Sequence, residues 1–357
     1  MARLLLALLL ALAGAGPAAH AQSDTSDAPS DPGDWLVLPY ASYAPDTKIS
    51  VGATAGYYQN TRDGRPASSV VASFTVTQRR QVIAQITPEL YLQDGDWRLY
   101  ADLQATRFPD SFYGIGGDQP TLAQSYTDQY GQVDLTVQTR IRPNLRVGPR
   151  VFMRGGTVTE AEQGSTIDRG SVPGTGTSWT VGAGGSIFWD ARDNQYYPTA
   201  GTYADVSLML YTARLGSDFT YGGLRTDVRG YRSLGFGVLA GQVYSEVTAG
   251  EAPFQLLPKL GGSNRMRGYA MGRRRDNVYW TVQAEYRVPL FWRFKATTFA
   301  SVGEVGPRFG PDLVQEVEAA VGIGGRVRLT EDGVHGRADL AYSPTGIELY
   351  LSLGEAF

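Results

Sequence analysis

The residue types that most often carry out catalysis are scarce in this chain. Its 357 residues include no cysteine and two histidines, His20 and His335. A serine hydrolase needs a histidine beside its serine, whereas His335 lies in a predicted turn just after Asp332 and Gly333, where we interpret it as solvated. Metal binding through histidine or cysteine is equally unsupported, although a calcium site made of carboxylates in an external loop stays open. We therefore predict no enzymatic activity, no cofactor and no metal.

Two further patterns have the residue types of anion sites. The run Arg273-Arg274-Arg275 could contact lipopolysaccharide phosphates if exposed, or line a lumen if folded inward. Glycine pairs at 114–117, 182–185 and 322–325 lack the spacing of a nucleotide loop and precede no predicted helix, so we interpret them as strand glycines. A net charge of −3 argues against nucleic-acid binding.

The elements that must position these residues follow an export signal. Arg3, an apolar run at 4–13 and the small-residue pattern Ala19-His20-Ala21 predict a secretory signal peptide over residues 1–21. Residues 22–34 are rich in Ser, Asp, Pro and Gly and are expected to form a flexible periplasmic lead-in. Beyond the signal peptide, no apolar run approaches the roughly 20 residues that a spanning helix needs.

From Trp35 onward, segments of about ten residues alternate apolar and polar side chains, as in strands that face lipid on one side. In 278–288 one face carries Val278, Trp280, Val282, Ala284, Tyr286 and Val288, and the other carries Tyr279, Thr281, Gln283, Glu285 and Arg287. A soluble β-sandwich would also alternate, but its strands average about 5–6 residues. We predict an all-β fold over residues 35–357: a single transmembrane antiparallel β-barrel of about 16 strands in the bacterial outer membrane.

The connections between the predicted strands fall into a short and a long set. If both termini are periplasmic, the long segments 107–121, 157–176, 250–276 and 305–314 all fall on the external side. The predicted lumen contains charges of both signs, so no ion selectivity is expected. These charged residues are Arg146, Arg150, Arg154, Asp102 and Asp134.

Four segments carry recognisable motifs, in chain order Phe112–Gly116, Asp190–Asn194 leading to Pro198 and Gly201, Leu260–Tyr269, and Glu285–Pro289. They resemble an external-loop motif, a periplasmic turn, an inward-folded sixth external loop and the acidic strand after that loop in the BamA/TamA-like barrels of the bacterial surface antigen superfamily. The resemblance spans most of the chain, and the order and predicted sides of the motifs agree with it.

This resemblance implies a role for the loop tip Arg267-Gly268-Tyr269. Arg267 would bind the wall carboxylate Glu285, because an unpaired charge away from bulk water is costly. Alternation independently places Glu285 in the lumen. In the family an Asp on the next strand usually completes this loop-to-wall clamp, and this chain has Ser301 at that position. A solvated loop charge is the alternative interpretation of Arg267.

The chain ends at Phe357 after an alternating strand. This ending resembles the assembly signal of outer-membrane barrels, and a strand that closes the barrel accounts for it as well. The short lead-in resembles the bare-barrel type of the superfamily, which lacks POTRA domains. Expected partners are outer-membrane lipid and lipopolysaccharide, the barrel assembly machinery during biogenesis, and an unidentified client or periplasmic protein.

Two classes of function remain open. The first is insertion or translocation of protein or lipid, through a weak seam between the first and last strands that templates an incoming strand. The second is a passive outer-membrane pore or a structural scaffold barrel. The sixth-loop motif favours the first class, and the expected lack of POTRA domains favours the second.

Overall fold

The computed structural model describes residues 34–59, 67–116, 122–329 and 334–357. The predicted signal peptide and nearly all of the predicted lead-in lie outside the described residues. Within them, sixteen antiparallel strands form one closed barrel, which confirms the predicted fold class. In chain order the barrel strands are β1 (Asp34–Ala44), β2 (Lys48–Tyr58), β3 (Ser69–Thr77), β4 (Val82–Leu92), β5 (Trp97–Phe112), β6 (Gln124–Arg142), β7 (Leu145–Thr159), β8 (Thr177–Asp190), β9 (Gly201–Tyr211), β10 (Tyr221–Leu234), β11 (Gly237–Gly250), β12 (Val278–Pro289), β13 (Phe294–Gly306), β14 (Glu318–Arg328), β15 (His335–Ser343) and β16 (Gly346–Leu353).

The connections contain little further regular structure. Three short 3-10 helices occupy Ala213–Leu215, Phe254–Leu256 and Pro311–Val314, and the two-residue strands Lys259–Leu260 and Arg274–Arg275 pair with each other. None of the helices in the described part of the chain is long and apolar enough to cross a membrane.

Side-chain alternation explains why the strands form a barrel in lipid. On β12, Val282 is 41% exposed on the outer face, while Glu285 and Arg287 are 1% and 0% exposed on the inner face. Successive strand residues point to opposite faces, so an apolar outer row and a polar inner row result. Closure pairs the backbone groups of neighbouring strands, which is the condition for a sheet to survive in hydrocarbon.

The backbone hydrogen-bond ladder between neighbouring strands is shortest where the first and last strands close the barrel. β1 pairs with β2 through eleven residue pairs, and β15 pairs with β16 through eight. Between β1 and β16 one pair is formed, Tyr43 with Leu351. We call this junction the seam. Fewer ladder hydrogen bonds mean that the seam needs less free energy to open than the neighbouring strand pairs.

The longest connections lie at one end of the barrel. They join β5 to β6, β7 to β8, β11 to β12 and β13 to β14. Outer-membrane barrels carry long loops outside and short turns in the periplasm, so we take this end as external. The sixth loop, residues 251–277, is the longest of these connections.

Two sequence-based expectations need correction. The predicted external segment 107–121 begins too early: β5 extends to Phe112, because β5 and β6 continue to pair as far as Phe112 and Gln124. His335 is not a solvated turn residue: it begins β15 and is 1% exposed. The rings of Tyr197 and His335 lie 4.7 Å apart, and the carbonyl of His335 accepts a hydrogen bond from the Gly354 amide. A periplasmic turn and the C-terminal tail therefore cover His335.

Candidate functional site: the sixth loop and the lumen wall

The sixth loop lies inside the barrel and packs against its wall. Its residues Leu260, Met266 and Tyr269 are between 0% and 4% exposed. They form one apolar cluster with the wall residues Tyr244, Tyr279, Val305 and Ala320. The pairing of Lys259–Leu260 with Arg274–Arg275 joins the two ends of the loop into a hairpin base. Apolar packing therefore stabilises the loop inside the lumen, in addition to its charged contacts.

Arg267, at the loop tip, is bound by two carboxylates. Its Nη2 donates to Glu285 Oε2 on β12 at 2.7 Å, and its Nη1 donates to Asp339 Oδ2 on β15 at 2.6 Å. Its guanidinium also lies 3.5 Å from the centre of the Phe299 ring. The side chain is 1% exposed, so the two carboxylates and the ring take the place of water.

Further arginines extend this contact into a buried ionic network. Arg287 Nε donates to Glu285 Oε1 at 2.8 Å, and Arg326 Nη1 donates to Asp339 Oδ1 at 2.6 Å. Arg326 Nε also binds Glu355 Oε2 at 2.7 Å, beyond the end of β16. Each wall carboxylate is therefore shared between the loop arginine and a wall arginine. Because of this sharing, removal of one member strongly destabilises the network, since its partners stay buried and lose their counter-charge.

The two residues after Arg267 fasten the tip to the last strands. The Gly268 amide donates to the hydroxyl of Tyr350 on β16 at 2.9 Å, and its carbonyl accepts from Ser343 on β15 at 2.8 Å. Gly268 has φ of 113°, and a Cβ there would lie 3.2 Å from the Cβ of Ala320. The hydroxyl of Tyr269 donates to Glu318 Oε2 at 2.5 Å. Glycine fits this position because it tolerates the positive φ and the close wall.

The structure brings Arg267 and Glu285 together, but Ser301 is not among the hydrogen-bond partners of Arg267. Ser301 is buried on β13, and its Oγ has no hydrogen-bond partner in the described residues. The second carboxylate is Asp339, two strands further on, which sequence reasoning missed. Alternation along β15 did carry a signal, since Arg337 and Asp339 share the inner face.

Phe357, the predicted assembly signal, lies at the periplasmic mouth of the lumen. It is 4% exposed and packs with Tyr231, Ala240 and Ala356. Its main-chain oxygen accepts a hydrogen bond from Arg287 Nη2 at 2.9 Å. Through Arg287 and Arg326, the tail after β16 is part of the same ionic network as the sixth loop.

The three consecutive arginines of the loop have different environments. Arg273 is exposed, and Arg274 binds Glu318 at 2.5 Å. Arg275 is fully buried and donates to the carbonyl of Phe254 at 3.2 Å. Arg274 and Arg275 thus fasten the loop, and of the three arginines Arg273 alone is exposed.

Paired charges line the rest of the lumen. Among these pairs are Arg150 with Asp134, Arg154 with Asp128, Arg225 with Asp205 and Arg229 with Asp227, at N–O distances between 2.5 and 3.0 Å. A chamber of about 430 Å³ remains between this wall and the loop. Within the described residues no group of three or more His, Cys, Asp or Glu side chains is placed to hold a metal ion.

A closed barrel with a polar lumen and an internal loop bound to its wall defines a class: transmembrane β-barrels of the bacterial outer membrane. Comparison with protein-family models is more specific. A model described as the Omp85 superfamily domain matches residues 48–330. The chain therefore belongs to the Omp85 superfamily, whose barrels are insertion and transport proteins and not enzymes. A search of curated proteins found no significant match.

Solved structures agree with the fold. BamA from Haemophilus ducreyi lacking POTRA domains 1–3 matches with a TM-score of 0.65 and 16% identity, over 90% of this chain and 70% of that one. CdiB from Acinetobacter baumannii and CdiB from Escherichia coli match with TM-scores of 0.57 and 0.58 at 12% and 10% identity, each over 90% of this chain. The chain spans 59% and 63% of the length of these two CdiB chains.

Proposed function

We propose that this Omp85 barrel inserts or translocates client proteins or lipids at the outer membrane, and that it opens at the seam between β1 and β16. The observation that carries the proposal is the seam itself, with Tyr43 and Leu351 as its one residue pair. An unpaired strand edge is a template for an incoming strand, which gains main-chain hydrogen bonds by adding to it.

The attachment of the sixth loop supports opening on one side. The hydrogen bonds and ion pairs of the loop tip reach Glu285 on β12, Glu318 on β14, Asp339 on β15 and Tyr350 on β16. All four lie on the C-terminal side of the seam. The loop therefore holds β12–β16 together as one body, while β1 can separate from β16 without breaking these contacts.

In this mechanism Arg267 keeps the loop in the lumen, and the loop blocks free diffusion while the seam works. Glu285 and Asp339 position Arg267, and Gly268 allows the tip to approach the wall closely. We extend the proposal to partners: an outer-membrane client at the seam, and an assembly machinery that recognises β16 and the tail with Phe357 during biogenesis of the barrel.

The seam can be locked, because the chain contains no cysteine. The double variant Tyr43→Cys/Leu351→Cys places two thiols on directly opposed residues, at a separation that suits a disulfide. The matched control is Leu340→Cys/Leu349→Cys, a directly opposed pair in the complete β15–β16 ladder. In lipid vesicles, we expect the wild-type barrel to accelerate assembly of an unfolded eight-stranded outer-membrane protein. The heat-modifiable gel shift of this client protein measures its assembly.

Oxidation should abolish the acceleration for the seam pair, and a reductant should restore it, whereas the control pair should behave as wild type. If the barrel does not accelerate assembly, or if the locked seam works as well as the open one, the insertase proposal is wrong. Failure with protein clients, together with seam-dependent movement of labelled lipid between leaflets, would assign the same seam to lipid clients.

A passive pore is the competing function, and the 430 Å³ polar chamber is the observation in its favour. Single-channel conductance of the purified barrel in planar bilayers separates the two. We expect small, flickering currents from the wild type, and large, steady currents after deletion of residues 262–274. Large, steady currents in the wild type that the deletion does not change would favour the pore.

A further inference from the structure

A groove runs across the lipid-facing surface of β1–β8, whereas the ionic network lies in the lumen against β12–β16. Its volume is about 740 Å³. Small residues form its floor, among them Ala53, Ala84, Ala105 and Gly131. Larger apolar side chains border it, and those of Phe74, Ile86, Met153 and Trp179 are between 42% and 53% exposed. The side chains that enclose the groove are apolar, so it suits hydrocarbon chains.

A cluster of basic residues lies directly above this groove, at the external end of the barrel. We call it the basic rim; it consists of Lys48, Arg79, Arg80 and Arg107. The β1–β2 and β3–β4 turns meet here, since the amide of Gln78 donates to the carbonyl of Ile49 at 2.7 Å. Arg107, at the outer part of β5, donates to the carbonyl of Arg80 at 3.2 Å. Both turns and β5 thus contribute to one patch.

The charge of the basic rim is not neutralised within the patch. The carboxylates that face it are Glu160, bound to Arg107 at 2.9 Å, and Asp46, whose pKa is raised by burial in the β1–β2 turn. Four basic residues therefore face two carboxylates. Arg79 and Arg80 are exposed, and guanidinium groups bind phosphate oxygens with strong, charge-assisted hydrogen bonds.

The rim and the groove are close enough for one molecule to contact both. Arg107 and Ala105 point to the same face of β5, two residues apart, which corresponds to about 7 Å along a strand. The groove extends from β1 to β8, so with neighbouring strands about 4.8 Å apart its width is on the order of 30 Å. That width accommodates several acyl chains side by side, more than the pair of one phospholipid.

We propose that this surface binds a phosphorylated, multiply acylated glycolipid of the outer leaflet, such as the lipid A part of lipopolysaccharide. The basic rim holds its phosphates, and its acyl chains lie in the groove. The site reaches β1, which forms one side of the seam, and does not include the sixth loop. It would anchor β1–β8 in the outer leaflet while β1 moves relative to β16.

The test is native mass spectrometry of the purified barrel titrated with hexa-acylated diphosphoryl lipid A. The rim variant is Arg79→Gln/Arg80→Gln/Arg107→Gln. The groove variant Ala84→Phe/Ala105→Phe fills the floor and leaves the charges unchanged. The matched control Arg142→Gln/Arg232→Gln/Arg293→Gln removes three exposed arginines at the periplasmic end. The heat-modifiable gel shift confirms that each variant barrel is folded.

We expect lipid A to bind the wild type and the periplasmic control equally, and the rim and groove variants at least about tenfold more weakly. Phosphatidylglycerol should bind the wild type at least about tenfold more weakly than lipid A, and inorganic pyrophosphate should not displace lipid A. Equal affinity of the rim variant and the control would overturn the site. Equal affinity for phosphatidylglycerol would reduce it to ordinary lipid contact, and a dimer mass lost in the groove variant would assign the groove to a second copy.

Discussion

Arg267 and Asp339 form a buried ion pair, with Nη1 and Oδ2 2.6 Å apart, across 72 residues of sequence. The pair joins the tip of the sixth loop to β15, one strand from the seam. Because Glu285 on β12 binds the same guanidinium, Arg267 connects β12 to β15 through the lumen as well as around the wall. The loop therefore braces the part of the barrel that forms one side of the seam.

The first prediction concerns the two acids. Asp339→Ser should destabilise the docked loop by about 3–5 kcal/mol, because Arg267 and Arg326 stay buried and each loses a carboxylate. Glu285→Ala should be at least as severe. The midpoint of the heat-modifiable gel shift measures the loss. In a cycle with Arg267→Ala, the double variant should lose much less than the sum of the single losses.

A rescue variant sharpens this test. Ser301 is buried two residues from Phe299, the ring that contacts Arg267. Adding Ser301→Asp to Asp339→Ser places an acid on β13 and should recover part of the lost stability, whereas Ser301→Asp alone should destabilise by adding a buried charge. Fully additive losses throughout would mean that Arg267 does not depend on these carboxylates.

Much of the fold could be predicted from the sequence, and the reason is physical. A strand between lipid and a lumen must alternate with a period of two residues, and this local pattern sets strand number, strand faces and the side of each long loop. Alternation alone therefore places Glu285 on the inner face. It could not pair Arg267 with Asp339, because that contact depends on how far the loop enters and how the barrel curves. The prediction for His335 was wrong for the same reason, since a turn and the tail remote in sequence bury it.

The second prediction concerns Gly268. Gly268→Ala should destabilise loop docking by about 1–3 kcal/mol, because alanine is strained at a φ of 113° and its Cβ would crowd the wall. The control is Gly310→Ala in the β13–β14 loop, where a Cβ would meet no atom within 4 Å. The midpoint of the heat-modifiable gel shift should fall for Gly268→Ala and not for Gly310→Ala. The currents of the Gly268→Ala barrel should be larger and steadier than those of the wild type. Equal midpoints for the two variants would refute close packing of the tip.

The third prediction is a pH dependence of loop docking. The pKa of Lys259, at the base of the sixth loop, is lowered to about 8, because burial disfavours the ammonium and Arg275 repels it. Below pH 8 the lysine is charged in both the docked and the released loop, so docking carries the full free-energy cost of burying the ammonium. Between about pH 8 and 10.5 docking releases a proton, so rising pH stabilises the docked loop by up to about 1.4 kcal/mol per pH unit.

The measurement is the heat-modifiable midpoint at pH 7.5 and at pH 9.5. We expect a rise for the wild type, and a higher midpoint at pH 7.5 with a smaller rise for Lys259→Met, which keeps the packing and removes the charge. A wild-type midpoint that falls over this range, or a rise that Lys259→Met leaves unchanged, would contradict the assignment of the pH effect to Lys259.

The fourth prediction concerns the lumen wall once the loop is gone. Four lumen arginines, Arg150, Arg154, Arg225 and Arg229, form a ladder of ion pairs with aspartates. The pore left by deleting residues 262–274 should therefore pass potassium and chloride with a permeability ratio near one. Asp134→Asn/Asp227→Asn in that background leaves Arg150 and Arg229 without counter-charges and should make the pore prefer chloride. Reversal potentials in a salt gradient measure both.

A control separates the ladder from the total charge of the protein. Asp94→Asn/Glu251→Gln removes the same number of negative charges from the connections outside the ladder and should leave the permeability ratio unchanged, because 0.15 M salt screens exposed charges over about 8 Å. A chloride preference of equal size in both double variants would show that net charge sets the selectivity. Strong selectivity in the deletion variant itself would show that the ladder pairs separate once the loop no longer fills the lumen.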